Sequence, residues 1–255
     1  MTDLYLFRIT LRDLVRPGKL TAAALLVAVA VIVAALVRAN ARPGEFNPAA
    51  SYNGISSVLV FGYIVVILSL VFSTGLIGQE IEQKTIPYLL TRPMPRWRIL
   101  LAKYLAAVLV TTVTVWLADF VVALALFGPA KIGASHLWKD LLILPIGAMA
   151  YSGIFLLLAT IVPKALLYGL GYAFIEPLLQ FLPGDWQKIS LLSFLHALAP
   201  HLDAGDVAAS SQTAAATDIA GWVAWIVVIS VILGTVIAAL VVFSTREYTP
   251  QEERA

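Results

Sequence analysis

The sequence predicts an all-α integral membrane protein that crosses the bilayer six times. Three observations predict it. Of 255 residues, 60% are hydrophobic and 13% charged, whereas soluble domains are about half apolar and about a quarter charged. Mean hydropathy is +0.91. Apolar runs of the roughly twenty residues that cross hydrocarbon as a helix recur along the chain. A water-soluble fold of this length has no interior large enough for so much apolar surface, so lipid must cover the remainder.

The first element, residues 1–18, is read as an interfacial amphipathic helix. Leu4, Phe7, Leu11, Leu14 and Val15 share one helical face, and Arg8, Arg12 and Arg16 occupy the other. An apolar face in the membrane with arginines at lipid phosphates fits that pattern, as does a solvated helix packed on a partner. Pro17-Gly18 then turns the chain into the bilayer. The first apolar run is longer than the core of a signal peptide.

Six spans follow, at 20–37, 56–78, 99–127, 141–162, 165–182 and 219–243. The third is long enough to tilt. The fifth is the weakest, being short and interrupted by Glu176-Pro177. Between the last two spans lies an outer segment, 183–218. Its apolar middle, 189–199, is too short to cross and reads as a re-entrant or interfacial helix. Small residues at Ala102/Ala106 and Gly234/Ala238 indicate close helix packing. No internal repeat of the kind that builds many secondary carriers is present.

Orientation follows from the basic residues. With six spans and the N-terminus inside, twelve of the 17 lysines and arginines face the cytoplasm and five face outward. That bias places both termini in the cytoplasm of a cell-membrane protein. A net charge of +2 gives no reason to expect nucleic acid as a partner. The absence of cysteine excludes disulfides, thiolate metal sites and cysteine nucleophiles.

One connection stands apart, the cytoplasmic loop 79–98. It places Glu80, Glu82 and Lys84 ahead of Thr85, Tyr88 and Leu89-Leu90, and then Arg92, Pro93, Pro95, Arg96 and Arg98. Ile81, Thr85, Tyr88 and Leu89 share a helical face, and Glu80 and Lys84 have the favourable acid-before-base spacing. Pro87 removes a backbone donor, so a helix ends near Thr85 and restarts around it. Pro93-Met94-Pro95 forces an extended corner.

This segment resembles the signature of type-2 ATP-binding-cassette exporter permeases. That signature runs acid-x-acid, Gly-Thr-Leu, paired leucines, a proline–arginine corner and a lysine early in the next span. Glu80, Glu82, Thr85, Leu89-Leu90, Pro93, Pro95, Arg96 and Lys103 match it. Lys84 stands where glycine is usual, and Pro87 falls inside the short helix. The match covers about a tenth of the chain, and the six-span layout agrees with it. The resemblance implies that 79–98 is a coupling helix docking on a cytoplasmic ATPase, with Glu80, Glu82, Thr85, Tyr88, Leu89, Arg92, Pro93 and Arg96 at the contact. It makes Lys103 the anchor of span three. It implies two separate ATPase subunits carrying ATP and Mg, and a second copy of this chain or a sibling permease. The chain itself has no G-x-x-x-x-G-K-[ST] loop and binds no cofactor in this reading. A membrane scaffold using an ATPase partner, or an ATP-independent channel or carrier, are the alternatives.

Two carboxylates fall within spans. An ionised acid in hydrocarbon is costly, so Asp119 is either a pathway or interface residue or a neutral group bonded to Thr112, Thr114 or Trp116. Glu176 marks either a kink or an outer-gate contact. His196, His201, Asp203 and Asp206 cluster in the outer segment, but five-residue histidine spacing across Pro200 is not that of a helical metal pair. No metal or hydrolase site is expected.

Overall fold

The computed structural model describes residues 2–40, 46–82, 95–129, 137–162, 164–181, 184–199 and 219–245, all of them in helices and their connections. Helix α1 (Thr2–Leu14) leads into α2 (Pro17–Asn40) through a turn at Val15-Arg16. Pro17 opens α2, where its missing N–H belongs to a group with no intrahelical partner anyway. Asp13 braces the turn, with Arg16 at 3.0 Å and Lys19 at 3.2 Å.

Leu14 is buried and Phe7 and Leu11 pack on the core, and α1 lies against α5 (Arg96–Phe127). Part of its apolar face is therefore covered by protein. Val15, placed on that face by periodicity, is exposed.

A single rod follows, made of α3 (Pro48–Ile55), a π-helical stretch (Ser56–Ile64) and α4 (Val65–Glu82). Asn47 starts it, its side-chain oxygen accepting from Ala49 N at 3.0 Å and Ala50 N at 3.3 Å, a cap that satisfies two orphan donors. In the π stretch the closing bond reaches five residues back, from Val65 N to Val60 O. Helix α4 runs through the middle of the bundle, against α5, α6 (Leu137–Ile161), α7 (Ala165–Leu178) and α2.

Irregular backbone is compensated by distant side chains. Pro145 inside α6 has no N–H to give Leu141 O, and Trp116 Nε1 on α5 donates to that carbonyl at 2.8 Å. At the end of α5, Gly128 takes φ +72°, a left-handed cap suited to glycine. The nearby orphan carbonyl of Ala125 accepts from Arg38 Nη1 of α2 at 2.6 Å.

Among the described residues, five helices are long and apolar enough to cross a membrane: Pro17–Asn40, Pro48–Leu76, Trp97–Phe127, Leu137–Ile161 and Gly221–Thr245. The fifth expected crossing rests on α7, an apolar helix of 14 residues. At about 1.5 Å per residue it covers about 21 Å, short of the roughly 30 Å hydrocarbon core. Pro177 lies inside its last turn, and the chain continues as a tight 3₁₀ turn, Leu179–Phe181. A second 3₁₀ turn, Gly184–Ile189, leads into α8 (Leu191–Leu198), the short helix ahead of the final span α9 (Gly221–Thr245). Helix α9 packs on α6, α8 and α5. Both α2 and α9 turn large apolar side chains outward, among them Ile32, Leu36, Leu233 and Ile237.

Close approach of α7 to the central rod depends on Gly169. A Cβ there would collide with Leu70 Cδ1 and press on Phe155 Cδ1 at 3.3 Å, whereas one at Gly171 meets nothing within 4 Å. Leu70 and Phe155 are fully buried and cannot swing away. Gly169→Val is expected to destabilise the solubilised chain by about 1–3 kcal/mol, the usual cost of overpacking. Gly171→Val serves as the control and should melt with the wild type in a thermal-shift measurement.

Candidate functional site

The bundle has two chemically distinct ends. Residues 83–95 join α4 to α5 at one of them. Tyr52, Ser56, Asp119 and Asp140 lie at the other.

At the 83–95 end, Glu80 and Glu82 fall in the last turn of α4 and Arg96 opens α5. Thr85, Tyr88, Leu89, Arg92 and Pro93 lie outside the described residues, as do His201, Asp203 and Asp206 of the outer segment. Lys103, two turns into α5, is buried and its Nζ donates to Leu76 O at 3.2 Å. This charged bond ties the start of α5 to the last turns of the rod. The same depth carries Lys19, whose side-chain end lies 3.9 Å from the position of a Cβ on Gly75.

The opposite end is built around two carboxylates. Asp119 and Asp140 are almost fully buried, on α5 and α6. Between them stand two hydroxyls from the rod. Tyr52 Oη lies 2.9 Å from Asp119 Oδ2 and 2.7 Å from Asp140 Oδ2. Ser56 Oγ lies 3.0 Å from Asp119 Oδ1 and 3.4 Å from Asp140 Oδ2. Each hydroxyl thus serves both acids, and one cluster joins three consecutive membrane helices. Tyr52 and Ser56 are four residues apart, so one helical face presents both.

Two of the partners expected for Asp119 are engaged elsewhere. Thr114 bonds back to Val110 O at 2.8 Å and Trp116 donates to Leu141 O. Near neighbours on α5 cannot turn toward the acid and also satisfy their own helix, whereas Tyr52 and Ser56 face it from another helix. Sequence reasoning missed Tyr52, Ser56 and Asp140. Asp140 was set just outside the fourth span. Its signal was its position, since it begins one span at the end where Asp119 finishes the one before.

Glu176 has a structural task. Its Oε1 accepts from Tyr151 Oη at 3.1 Å, Ser190 Oγ at 3.0 Å and Leu192 N at 3.0 Å. Leu192 is the second residue of α8, so the carboxylate caps a helix N-terminus and meets its positive dipole end. Gln180 Nε2 donates to Ser190 Oγ at 3.1 Å and Ser193 Oγ at 2.9 Å. These bonds pin α8 onto the bundle. His196 of α8 lies 3.2 Å from Ser57 O through Nε2. A carbonyl only accepts, so that nitrogen carries the proton.

A family model described as ABC-2 family transporter protein matches residues 16–179, well over half of the chain. The chain belongs to the ABC-2 transporter family. It is a multi-pass membrane protein of the permease type. No curated protein matches it. The ABC-2 match runs from the turn before α2 to the end of α7, so it contains the rod, the 83–95 connection, Lys103 and the carboxylate pair.

Removing the Tyr52 hydroxyl leaves the two buried acids with Ser56 as their one shared hydroxyl, at about 1–3 kcal/mol. Tyr52→Phe and Asp119→Asn are each expected to lower thermal stability by that order. The double variant should lose less than the sum of the two, as expected of one network. For Glu176→Ala, exposure of α8 rather than global unfolding is the expected result, read as faster amide exchange confined to residues 191–198.

Proposed function

We propose that this chain is the membrane-spanning permease subunit of an ATP-driven exporter, forming the translocation pathway with a second copy of itself or a sibling permease. Two cytoplasmic ATPase subunits drive it through the 79–98 connection, which lies on the cytoplasmic side with both termini. The observation that carries the reading is the ABC-2 family match across α2 to α7. The chain performs no chemistry; ATP and Mg belong to the partner.

Physical features support the proposal. A coupling element must transmit movement rather than absorb it. Glu82 and Arg96 end two long helices that flank the connection. Lys103 braces those helices against each other two turns further in. The prolines at 87, 93 and 95 restrict the backbone between them. Glu80, Glu82, Thr85, Tyr88, Leu89, Arg92, Pro93 and Arg96 are the proposed contact set. A displacement imposed on this end travels along the rod toward Tyr52 and Ser56, where the carboxylate pair links it to α5 and α6.

The test is copurification under gentle solubilisation. A tagged chain should bring down an ATPase in equal amount, and Arg96→Glu or the Glu80→Ala/Glu82→Ala pair should reduce recovery at least tenfold while membrane insertion is unchanged. Recovery of no ATPase would sink the proposal in favour of an autonomous carrier. An ATPase that associates but whose hydrolysis never responds to any cargo in liposomes would indicate a scaffold.

A further inference from the structure

The rod changes its hydrogen-bonding step partway along. Ser56 N bonds to Tyr52 O, four residues back, at the end of α3, whereas Val65 N bonds to Val60 O, five residues back. Between them, Ser56–Ile64 form a π-helix of nine residues. Such helices are rare, occur mostly as a single wide turn inside an α-helix, and concentrate at functional sites. The stretch holds no proline to force it, and the contacts that keep it wide come from other helices.

Helix α8 lies along it. His196 Nε2 donates to Ser57 O at 3.2 Å, from 139 residues further along the chain, and its ring is 6.0 Å from that of Phe61. One turn earlier on α8, Leu192 Cδ2 is 3.6 Å from where a Cβ on Gly62 would be. Leu195 Cδ1 and Val65 Cγ1 lie 3.2 and 3.7 Å from the position of a Cβ on Gly147 of α6. Helix α8 is thus wedged between α6 and the residue that follows the π stretch. Glu176 holds its N-terminus, at Ser190 and Leu192.

The rod is also held beyond each end of the stretch. Lys103 bonds Leu76 O on one side, and Asp119 and Asp140 meet Tyr52 and Ser56 on the other. The number of residues per turn in between therefore sets how Tyr52 and Ser56 are aimed. Closing five-residue bonds to four-residue ones turns that end by one residue's share of an α turn, about 100°, and moves it about 1.5 Å. A rotation of that size carries both hydroxyls off the acids. We propose that α8 is a latch on the rod. Seated, it keeps 56–64 π-helical, with Tyr52 and Ser56 on Asp119 and Asp140; lifted, it lets the stretch close to an α-helix and turns both hydroxyls away. His196 is the positioning residue of the latch and Glu176 its anchor. Both the latch and the acids bias one two-state element, so the coupling is reciprocal: loss of the acid contacts loosens α8 as well. The proposal concerns a single chain and does not rest on the ATPase reading.

The cysteine-free sequence makes the test direct. Spin labels on Gly54→Cys of α3 and Leu142→Cys of α6, both exposed positions, report rotation of the rod's end by pulsed electron resonance in liposomes. Gly171→Cys with Leu142→Cys is the control pair. The latch is lifted with Glu176→Ala/His196→Leu, its release read as faster amide exchange at 191–198. The 54–142 distance should then move by about 5 Å, the sideways travel of a side chain through about 100° on a helix, while the 142–171 distance stays. Restoring an N–H donor, as Glu176→Ala/His196→Gln, should draw the distance back toward that of the wild type. An unmoved 54–142 distance with α8 lifted overturns the proposal. Where α8 stays docked or a variant fails to insert, the reverse direction decides. Tyr52→Phe/Ser56→Ala should speed exchange at 191–198 several-fold relative to 137–161, and unchanged relative exchange overturns the proposal.

Discussion

Hydrocarbon offers a polar group no partner, so each one carried into it must be answered by the protein itself. Asp119 and Asp140 impose that constraint most severely here, and the fold is arranged around their answer. Two acids on α5 and α6 are met by two hydroxyls four residues apart on the rod. Satisfying both acids from one helical face fixes how the three helices are rotated about their axes. Apolar packing alone is less selective, because lipid tails are as apolar as the side chains they would replace. At the opposite end, the bond from Lys103 to Leu76 O fixes the same two helices again. The rod is thus registered against α5 at both extremities by polar contacts, with mostly apolar side chains in the interval.

Backbone groups obey the same rule, and several irregularities are matched by a side chain from elsewhere in the chain. Pro145 leaves Leu141 O without its helical donor, and Trp116 supplies one. The end of α5 leaves Ala125 O open, and Arg38 closes it. Ser57 O in the π stretch is met by His196, and the N-terminus of α8 by Glu176. Kinks and short helices persist at these places because a specific residue elsewhere makes each affordable in lipid. The outer segment behaves accordingly. Although α8 is too short to cross, its buried Leu191, Leu192 and Leu195 and its capped N-terminus make it part of the bundle rather than a loose loop.

Features that depend on local composition were legible in the sequence. Five of the six expected crossings coincide with helices long and apolar enough to cross a membrane, and the weakness of the fifth expected one was visible at Glu176-Pro177, where α7 ends. The short helix before the last span was legible for the same reason. What could not be read were pairings. The periodicity of α1 gives an apolar face but not its occupant, and α5 rather than lipid covers Phe7, Leu11 and Leu14. Asp119 stood out because a charge in a span is anomalous, yet its partners lie 63 and 67 residues away in sequence. Asp140 offered only its position, because a carboxylate at a helix entrance is ordinary until a second one is known to finish beside it.

The contrast between ends and middle bears on how such a bundle moves. Polar bonds are short-ranged and directional, so the carboxylate cluster and the Lys103 bond hold their geometry or break; they do not stretch. Apolar contact is non-directional and yields to small sliding as long as density is kept. A rod clamped by the first kind of contact at its ends, and by the second along its length, shifts between discrete arrangements rather than bending continuously.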